Sequence, residues 1–233
     1  MQCVILAAGR GSRLRPLTNT TPKPLIKVCG KPLLQHIVEA LPEEIDEIIL
    51  VVNYLEEQIR AFCGEEFCGR RVKYVVQDNP KGGTGAALFC AKDLLKGRFL
   101  FMYADDIHGA KALKQVISYP YGMLAARSDE PQNFGVLTLN SDGTLKAITE
   151  KPANPATNLI NIGGMVLDTD IFLYEATPNP ESGEVYVTDM VTAFAKDKPM
   201  QVVEQYVWLP VGKVEDIVLT EECLCPKLCR QNN

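Results

Sequence analysis

Short apolar runs alternate with amphipathic segments along the first half of the chain. The run over 47–52 contains almost no polar residue, which is typical of a strand buried on both faces of a sheet. The segments between such runs repeat apolar residues at helical spacing. This order predicts a mainly parallel sheet with helices on both faces. The predicted strands are 2–7, 47–52, 72–77 and 98–103, and the predicted helices are 32–41, 55–62 and 85–95.

The second half has a different pattern, in which strand signals follow one another. The segment 140–143, Asn-Ser-Asp-Gly, is typical of a hairpin turn. A helix is expected to begin near Thr188 and Asp189, capped by one of these two side chains. No linker rich in glycine, proline or serine is present, so we predict one domain over 1–222 and a cysteine-containing tail over 223–233. The other predicted elements are strands over 123–127, 135–140, 144–149, 160–167 and 202–208 and a helix over 214–223.

Composition narrows the classes of protein. A chain of 233 residues that is 46% hydrophobic can fill the core of one large α/β domain. The net charge of −5 argues against nucleic acid as the main partner, because phosphate backbones select basic surfaces. No apolar run approaches the roughly 20 residues of a membrane span, and no basic leader precedes the first strand. We expect a soluble cytoplasmic protein without a membrane partner.

The eight cysteines do not form a recognisable disulfide or metal pattern. We expect Cys3, Cys29 and Cys90 to be buried thiols, because their neighbours are apolar or small. No C-x-x-C pair or adjacent histidine completes a four-ligand metal set around the tail cysteines, which are Cys223, Cys225 and Cys229. The two histidines, His36 and His108, are interpreted as ordinary helix and loop residues.

The first predicted strand runs into a glycine-rich loop that carries arginine. Residues 7–13, Ala-Ala-Gly-Arg-Gly-Ser-Arg, bring backbone N–H groups and positive charge together, an arrangement that suits a phosphate. A dinucleotide-binding fingerprint would need a third glycine where Leu14 stands. A P-loop would need Gly-Lys-Ser/Thr after four spacer residues, which the chain lacks. The remaining interpretation is a loop for a polyphosphate.

This loop belongs to a longer compound motif over 6–25. Leu-Ala-Ala-Gly-x-Gly-x-Arg-Leu-x-Pro-Leu-Thr is followed by Pro-Lys-Pro-Leu. The motif resembles the signature of the sugar-1-phosphate nucleotidylyltransferases, such as glucose-1-phosphate thymidylyl- and uridylyltransferases and the N-terminal domain of N-acetylglucosamine-1-phosphate uridylyltransferase. The similarity continues at intervals to about Asp216. It implies a Rossmann-like three-layer αβα sandwich with a mixed, mostly parallel sheet, of the nucleotide-diphospho-sugar transferase type.

The reaction implied by the resemblance requires charge neutralisation and alignment. A sugar 1-phosphate oxygen attacks the α-phosphorus of a nucleoside triphosphate and pyrophosphate leaves. The second pKa of a phosphomonoester is about 6, so no general base is required at neutral pH. By resemblance, the catalytic residues are Arg13, Lys23 and Asp105. The implied nucleotide-binding residues are Leu6, Ala7, Ala8, Gly9, Gly11, Gln77, Gly82 and Thr84.

The sugar and metal sites also follow from the resemblance. Asp105 and Asp189 match the family's metal ligands, and Mg²⁺ is the implied cofactor, because two carboxylates and phosphate oxygens are enough to hold it. Asp106 is expected to point elsewhere. One departure is Pro210, which replaces the aspartate of a Trp-x-Asp-x-Gly segment. The implied sugar-phosphate-binding residues are Tyr103, Gly135, Glu150, Lys151 and Asn161.

The sequence limits the choice of substrates but does not identify one pair. The Gln77 amide offers the donor and acceptor that a pyrimidine edge requires, and the Gly-Gly-Thr-Gly-Ala segment looks more like the uridylyltransferase version. We therefore expect UTP with glucose 1-phosphate or N-acetylglucosamine 1-phosphate. Open alternatives are dTTP with glucose 1-phosphate, GTP with mannose 1-phosphate, and a non-catalytic regulatory subunit that binds nucleotide sugars. A homo-oligomer is also left open.

Overall fold

The computed structural model describes residues 1–79, 81–174, 176–180 and 182–225. The strands are β1 (Gln2–Leu6), β2 (Lys27–Val28), β3 (Lys31–Pro32), β4 (Glu47–Val52), β5 (Glu66–Phe67), β6 (Arg70–Val76), β7 (Arg98–Tyr103), β8 (Asp106–His108), β9 (Gly122–Arg127), β10 (Gly135–Leu139), β11 (Leu145–Glu150), β12 (Leu159–Asp168), β13 (Gln201–Glu204) and β14 (Trp208–Pro210). The α-helices are α1 (Leu33–Glu39), α2 (Glu56–Cys63), α3 (Gly83–Cys90), α4 (Ala110–Ile117), α5 (Val187–Phe194) and α6 (Val214–Leu224). Short 3₁₀ turns occupy Ser12–Leu14, Leu17–Asn19, Lys23–Leu25, Lys92–Leu94, Pro131–Asn133 and Thr169–Leu173.

Within the described residues, ten strands form one mixed sheet. Its main order is β11-β10-β12-β7-β1-β4-β6-β5, with β9 pairing to β12 and β13. The pairings among β1, β4, β6 and β7 are parallel, as is that of β9 with β13, whereas β12 is antiparallel to its neighbours. The predicted mixed sheet with a parallel part is confirmed. The predicted hairpin also forms, between β10 and β11.

Alternating side chains of the central strands build two separate cores. In β1, Cys3 and Ile5 pack into a core that includes α1 and α4 residues, whereas Val4 packs with α3 and α5 residues. In β7, Leu100 faces the first core and Phe101 the second. Because successive strand residues point to opposite faces, each buried strand needs helices on both sides. This arrangement confirms the predicted three-layer architecture.

Strand β12 changes partners at a glycine pair. It pairs with β10 at Ile160 and with β7 from Met165 onward, and its register against β9 shifts between these points. Gly163 and Gly164 have φ values of 78° and 65°, a backbone region that glycine adopts without steric cost. The resulting bend brings the first half of β12 beside the β10–β11 hairpin.

Two predicted elements differ from the structure. The helix predicted over 85–95 ends at Cys90, where the backbone tightens into the 3₁₀ turn Lys92–Leu94. The strand predicted over 202–208 is two strands, because the chain leaves β9 after residue 205 and pairs with β8 as β14. Helix α4 was not predicted from the sequence pattern.

The cysteine expectations are partly wrong. Cys29 is not a thiol but is disulfide-bonded to Cys225 at the end of α6. The Cys29 N–H also donates to a Glu221 carboxylate oxygen at 2.8 Å, so the β2–β3 turn is attached to α6 twice. Cys3 is a buried free thiol, as predicted, and Cys90 is a half-buried one.

The tail prediction is only partly covered by the structure. Helix α6 continues to Leu224, and Cys229 lies outside the described residues. None of the helices in the described part of the chain combines the length and apolar composition needed to cross a membrane.

A charged cluster lies at the amino end of the sheet. Glu47 is buried between Gln2 and Lys73 of the neighbouring strands, and its carboxylate accepts hydrogen bonds from Gln2 Nε2 at 2.5 Å and Lys73 Nζ at 3.1 Å. Burial raises the pKa of Glu47, but these two hydrogen bonds and the Lys73 charge outweigh it, so the net pKa is lowered.

We expect Gly164→Ala to lower the free energy of unfolding by about 2–4 kcal/mol. Its Cβ would lie 2.6 Å from Leu124 Cδ1, on a backbone with φ of 65°. Gly143→Ala is the matched control, since φ there is 82° but the space around the new Cβ is open. Urea denaturation should therefore give a loss of only about 1 kcal/mol for the control. Equal losses for both variants would show that the Leu124 contact contributes nothing.

Glu47 should make the fold sensitive to acid. Because its folded pKa is below the unfolded value, its stabilisation is present above the unfolded pKa and is lost as pH falls through the folded pKa. Urea unfolding at pH 6 and pH 3 should show a smaller acid-induced loss in Glu47→Gln than in the parent chain. The exposed Glu43, changed to Gln, is the control and should keep the parental pH dependence. A parental slope in Glu47→Gln would contradict the assignment.

Candidate active site

A cavity of about 260 Å³ opens at the carboxyl ends of β1 and β7. These adjacent parallel strands are followed by connections that diverge, the position where open α/β sheets bind ligands. The lining includes nine of the predicted site residues, namely Leu6, Ala7, Ala8, Gly9, Lys23, Gln77, Thr84, Tyr103 and Asp105. The lining does not include eight others, namely Gly11, Arg13, Gly82, Gly135, Glu150, Lys151, Asn161 and Asp189.

The glycine loop packs closely against the segment that carries Lys23. Gly11 has a φ of 59°, and a Cβ there would lie 3.0 Å from both Lys23 Cβ and Thr18 Cγ2. The Thr18 hydroxyl donates to the Gly11 carbonyl at 2.8 Å. A larger residue at position 11 would push the two segments apart, which explains the second glycine of the motif. Arg13 is exposed and its guanidinium lies beside Gly212.

An ion pair joins the loops that follow β1 and β7. Lys23 Nζ lies 2.7 Å from Asp105 Oδ2, and the side chains are 11% and 38% exposed, respectively. Pro22 and Pro24 flank the lysine, and the Leu25 N–H donates to the Pro22 carbonyl at 2.8 Å. The proline rings restrict φ on both sides of Lys23, so the ammonium group has a stiff support. It faces the cavity.

Gln77 and the loop before α3 form the opposite wall. The Gln77 side chain is buried, and its Nε2 donates to the Gly83 carbonyl at 3.3 Å. Gly83 rather than Gly82 lines the cavity, and a Cβ on Gly83 would lie 2.6 Å from the Val185 carbonyl oxygen. The segment around Val185 pairs with the loop, because Val185 N–H donates to Gly82 and Gly85 N–H donates to Val185.

The predicted sugar-binding residues form a second group beside Tyr103. Gly135 and Glu150 are directly paired on β10 and β11, and a Cβ on Gly135 would lie 3.6 Å from Asn161 Cβ. The Tyr103 ring, which lines the cavity, packs against the strand that carries Asn161, since a Cβ on Gly163 would lie 2.8 Å from the ring. Burial raises the pKa of Glu150, and the nearby Lys151 charge opposes that shift. Tyr103 therefore connects the cavity to the Gly135–Glu150–Asn161 group.

Asp189 lies in the first turn of α5, and neither it nor Thr188 caps the helix. The N-cap residue is Tyr186, without a side-chain cap bond. The Val187 N–H instead donates to Thr84 Oγ1 at 3.0 Å. The first turn of the helix is thus capped by a residue that is distant in sequence. Asp189 keeps much of its surface in contact with water, and the packing of neighbouring atoms around the rest raises the pKa of its carboxyl.

Two polar side chains of the cavity were missed by sequence reasoning. Glu184 and Tyr186 line the cavity, and the Tyr186 hydroxyl donates to the Glu184 carboxylate at 2.8 Å. They belong to a segment without regular secondary structure before α5. No hydrophobic period marks such a segment, so no signal in the sequence pattern could have identified them.

The β8–β14 ribbon contains a buried polar group behind Asp105. His108, predicted as a loop residue, lies in β8, and its Nδ1 is 2.7 Å from Gln205 Nε2. Burial lowers the pKa of His108 to about 4. His108 Nε2, Gln205 Oε1 and Trp208 Nε1 are buried, and no hydrogen-bond partner for them lies among the described residues. His36 Nε2, in α1, lies 2.9 Å from the Val28 carbonyl, which fits its expected structural role.

The acidic residues of the site suit a divalent cation that also binds substrate phosphates. No three His, Cys, Asp or Glu side chains within the described ranges could enclose a metal by themselves. Mg²⁺ rarely needs such a cage, since one or two carboxylates with phosphate oxygens and water complete its shell. Asp105 keeps one carboxylate oxygen beyond the one that Lys23 engages. The donor set therefore fits Mg²⁺.

Comparisons with known proteins show the family to which the chain is similar. The profile of the family described as nucleotidyl transferase matches residues 2–224. The bifunctional protein GlmU of Methanocaldococcus jannaschii is 36% identical over 230 residues, covering 98% of this chain and 55% of the relative. A bifunctional sugar-1-phosphate nucleotidylyltransferase/acetyltransferase of Sulfurisphaera tokodaii is 32% identical, with 94% of this chain and 54% of the relative covered. The chain thus spans about half the length of these relatives.

The fold also matches solved structures. A UDP-glucose pyrophosphorylase in complex with UDP-glucose superposes with a TM-score of 0.79 at 24% identity, covering 97% of this chain and 98% of that one. The second structure carries the description of a glucose-1-phosphate thymidylyltransferase from Bacillus anthracis in complex with sucrose. Its TM-score is 0.80 at 24% identity, and the match covers 96% of this chain and 94% of that one.

Proposed function

The chain belongs to the nucleotidyl transferase family, and from this premise we propose that it transfers a nucleotidyl group from a nucleoside triphosphate to a sugar 1-phosphate. The observation that carries the proposal is the Lys23–Asp105 pair, 2.7 Å apart beside a cavity lined by the glycine loop. A cation, a carboxylate and the backbone of a glycine loop at one cavity suit two phosphate groups brought together for reaction. The name of the Sulfurisphaera tokodaii relative supports the same type of reaction.

The proposed reaction needs no nucleophile from the protein. An oxygen of the sugar 1-phosphate attacks the α-phosphorus, and the bond from that phosphorus to the pyrophosphate oxygen breaks. Lys23 is proposed to neutralise the phosphates that react, and Arg13 the pyrophosphate that leaves. Gly9 leaves the backbone open to the triphosphate, and Gly11 lets the loop pack against the segment that carries Lys23. Because the attacking phosphate is already ionised near neutral pH, alignment and charge neutralisation supply the catalysis.

Mg²⁺ is the proposed cofactor. Asp105 would hold it together with a second carboxylate, for which the sequence resemblance names Asp189. When bound, the ion would neutralise triphosphate charge and orient the leaving group.

We propose UTP and a hexose 1-phosphate, glucose 1-phosphate or N-acetylglucosamine 1-phosphate, as substrates. Gln77 is proposed to read a pyrimidine edge, and its amide Nε2 donates to the Gly83 carbonyl at 3.3 Å. Glu150 and Asn161 are proposed to hold the sugar hydroxyl groups, with Lys151 on the sugar phosphate. Gly135 leaves room for the Glu150 carboxylate, because a Cβ there would lie 3.1 Å from Glu150 Oε2.

Pyrophosphate release tests this function directly. The protein is incubated with Mg²⁺ and each pairing of five nucleoside triphosphates with a panel of sugar 1-phosphates. We expect strong release with UTP and one hexose 1-phosphate, and weaker release with purine nucleotides. Release with no pairing, combined with calorimetric binding of UDP-glucose, would contradict catalysis and favour a regulatory subunit.

Lys23→Ala should lower kcat by about 10²–10³-fold, because it removes a positive charge at the reacting phosphates. The matched control is Lys27→Ala, which removes an exposed lysine four positions further along the chain and should keep kcat. Steady-state pyrophosphate release measures both. A kcat for Lys23→Ala equal to that of Lys27→Ala would exclude Lys23 from the reaction centre.

A further inference from the structure

Strand β14 pairs Pro210 directly with Asp106 of β8. Pro210 is the residue that replaces the aspartate of the Trp-x-Asp-x-Gly segment. In an antiparallel pair, directly opposite residues present their side chains on the same face, with Cβ atoms about 4.5–5.5 Å apart. The Asp106 carboxylate therefore lies on the same side of the β8–β14 ribbon as a carboxylate at position 210 would, but on the neighbouring strand.

Asp106 also belongs to the electrostatic surroundings of the reactive pair. The Val211 N–H donates to the Asp105 carbonyl at 2.9 Å, which holds β14 against the residues after β7. Asp106 is half-buried; burial and the neighbouring Asp105 charge raise the pKa of its carboxyl, and the nearby Lys23 charge opposes that shift. The Trp208 indole N–H lies near the Asp106 carboxylate, and within the described residues it makes no hydrogen bond of the usual distance and angle.

Asp189 has different surroundings. Its negative charge acts on Glu150, which belongs to the Gly135–Glu150–Asn161 group. The adjacent Thr188 hydroxyl donates to the Glu150 carboxylate at 3.4 Å, so the first turn of α5 lies beside this group. Asp189 therefore lies on the sugar side of the site.

Resting on the proposed function, we infer that Asp106 and Asp105 together hold the divalent cation, and that Asp189 is not a ligand. Mg²⁺ prefers hard oxygen donors and is commonly held by one or two carboxylates, with phosphates and water completing the shell. Asp106 supplies the second carboxylate on the face where Pro210 supplies none. The sequence expectation that Asp106 points elsewhere is replaced by this proposal.

Binding of Mn²⁺ alone tests the inference without any turnover. Free Mn²⁺ is followed by electron paramagnetic resonance as it is titrated into the full chain, and Mg²⁺ is then added as competitor. We expect Asp106→Asn to raise the Kd for Mn²⁺ by about tenfold or more and Asp189→Asn to leave it unchanged. A wild-type chain that binds no Mn²⁺, an unchanged Kd in Asp106→Asn, or a raised Kd in Asp189→Asn would overturn the proposal.

A rescue variant separates metal binding from folding. Adding Pro210→Asp to Asp106→Asn restores a carboxylate across the ladder, so the Kd for Mn²⁺ should return toward the wild-type value. Restored Mn²⁺ affinity would show that the loss in Asp106→Asn is not a folding defect. If the double variant has the wild-type urea midpoint but does not regain affinity, positions 106 and 210 do not serve the same metal site. The Mn²⁺ titration contains no substrate. A pyrophosphate assay without release would therefore contradict the proposed function but would not change the measured Mn²⁺ affinities.

Discussion

The ion pair between Lys23 and Asp105 joins the two loops on which the whole site depends. The residues are 82 positions apart in sequence and meet because β1 and β7 are adjacent parallel strands whose carboxyl ends share one edge. With Lys23 only 11% exposed, its desolvation offsets much of the Coulombic attraction, so a pair of this kind adds little net stability. Its value is positional, because it holds a cation at the cavity in advance of a polyanionic ligand.

Glycine allows the surrounding segments to approach this pair. A Cβ on Gly11 would press on Lys23, one on Gly83 would overlap the Val185 carbonyl, and one on Gly163 would lie 2.8 Å from the Tyr103 ring. Each of these contacts sets the position of a cavity wall. The shape of the site is therefore determined as much by missing side chains as by the polar groups that line it.

The sequence predicts the elements that bury apolar side chains and misses those held by backbone contacts. The strand over 98–103 matches the structure because its burial on both faces leaves an unbroken apolar run. The segment before α5 has no such run, and its position comes from hydrogen bonds between Val185 and the loop at Gly82 and Gly85. The expected cap of α5 failed for the same reason, since Thr84 lies 103 residues away from the Val187 N–H that it satisfies.

The roles of individual site residues are harder to predict than their positions. The charge at a site is the sum over all side chains on one face of the fold, and these come from more than one sequence motif. A sequence motif records which residue occupies one strand, whereas a bound ion responds to every carboxylate within a few ångströms. In an antiparallel ladder, the side chains of two directly opposed residues lie on the same face. An aspartate on either strand therefore gives that face the same negative charge. The opposition of Pro210 and Asp106 is such an arrangement. Loss of an aspartate from the Trp208–Gly212 segment is therefore not loss of a carboxylate from the site, a distinction that only strand register reveals.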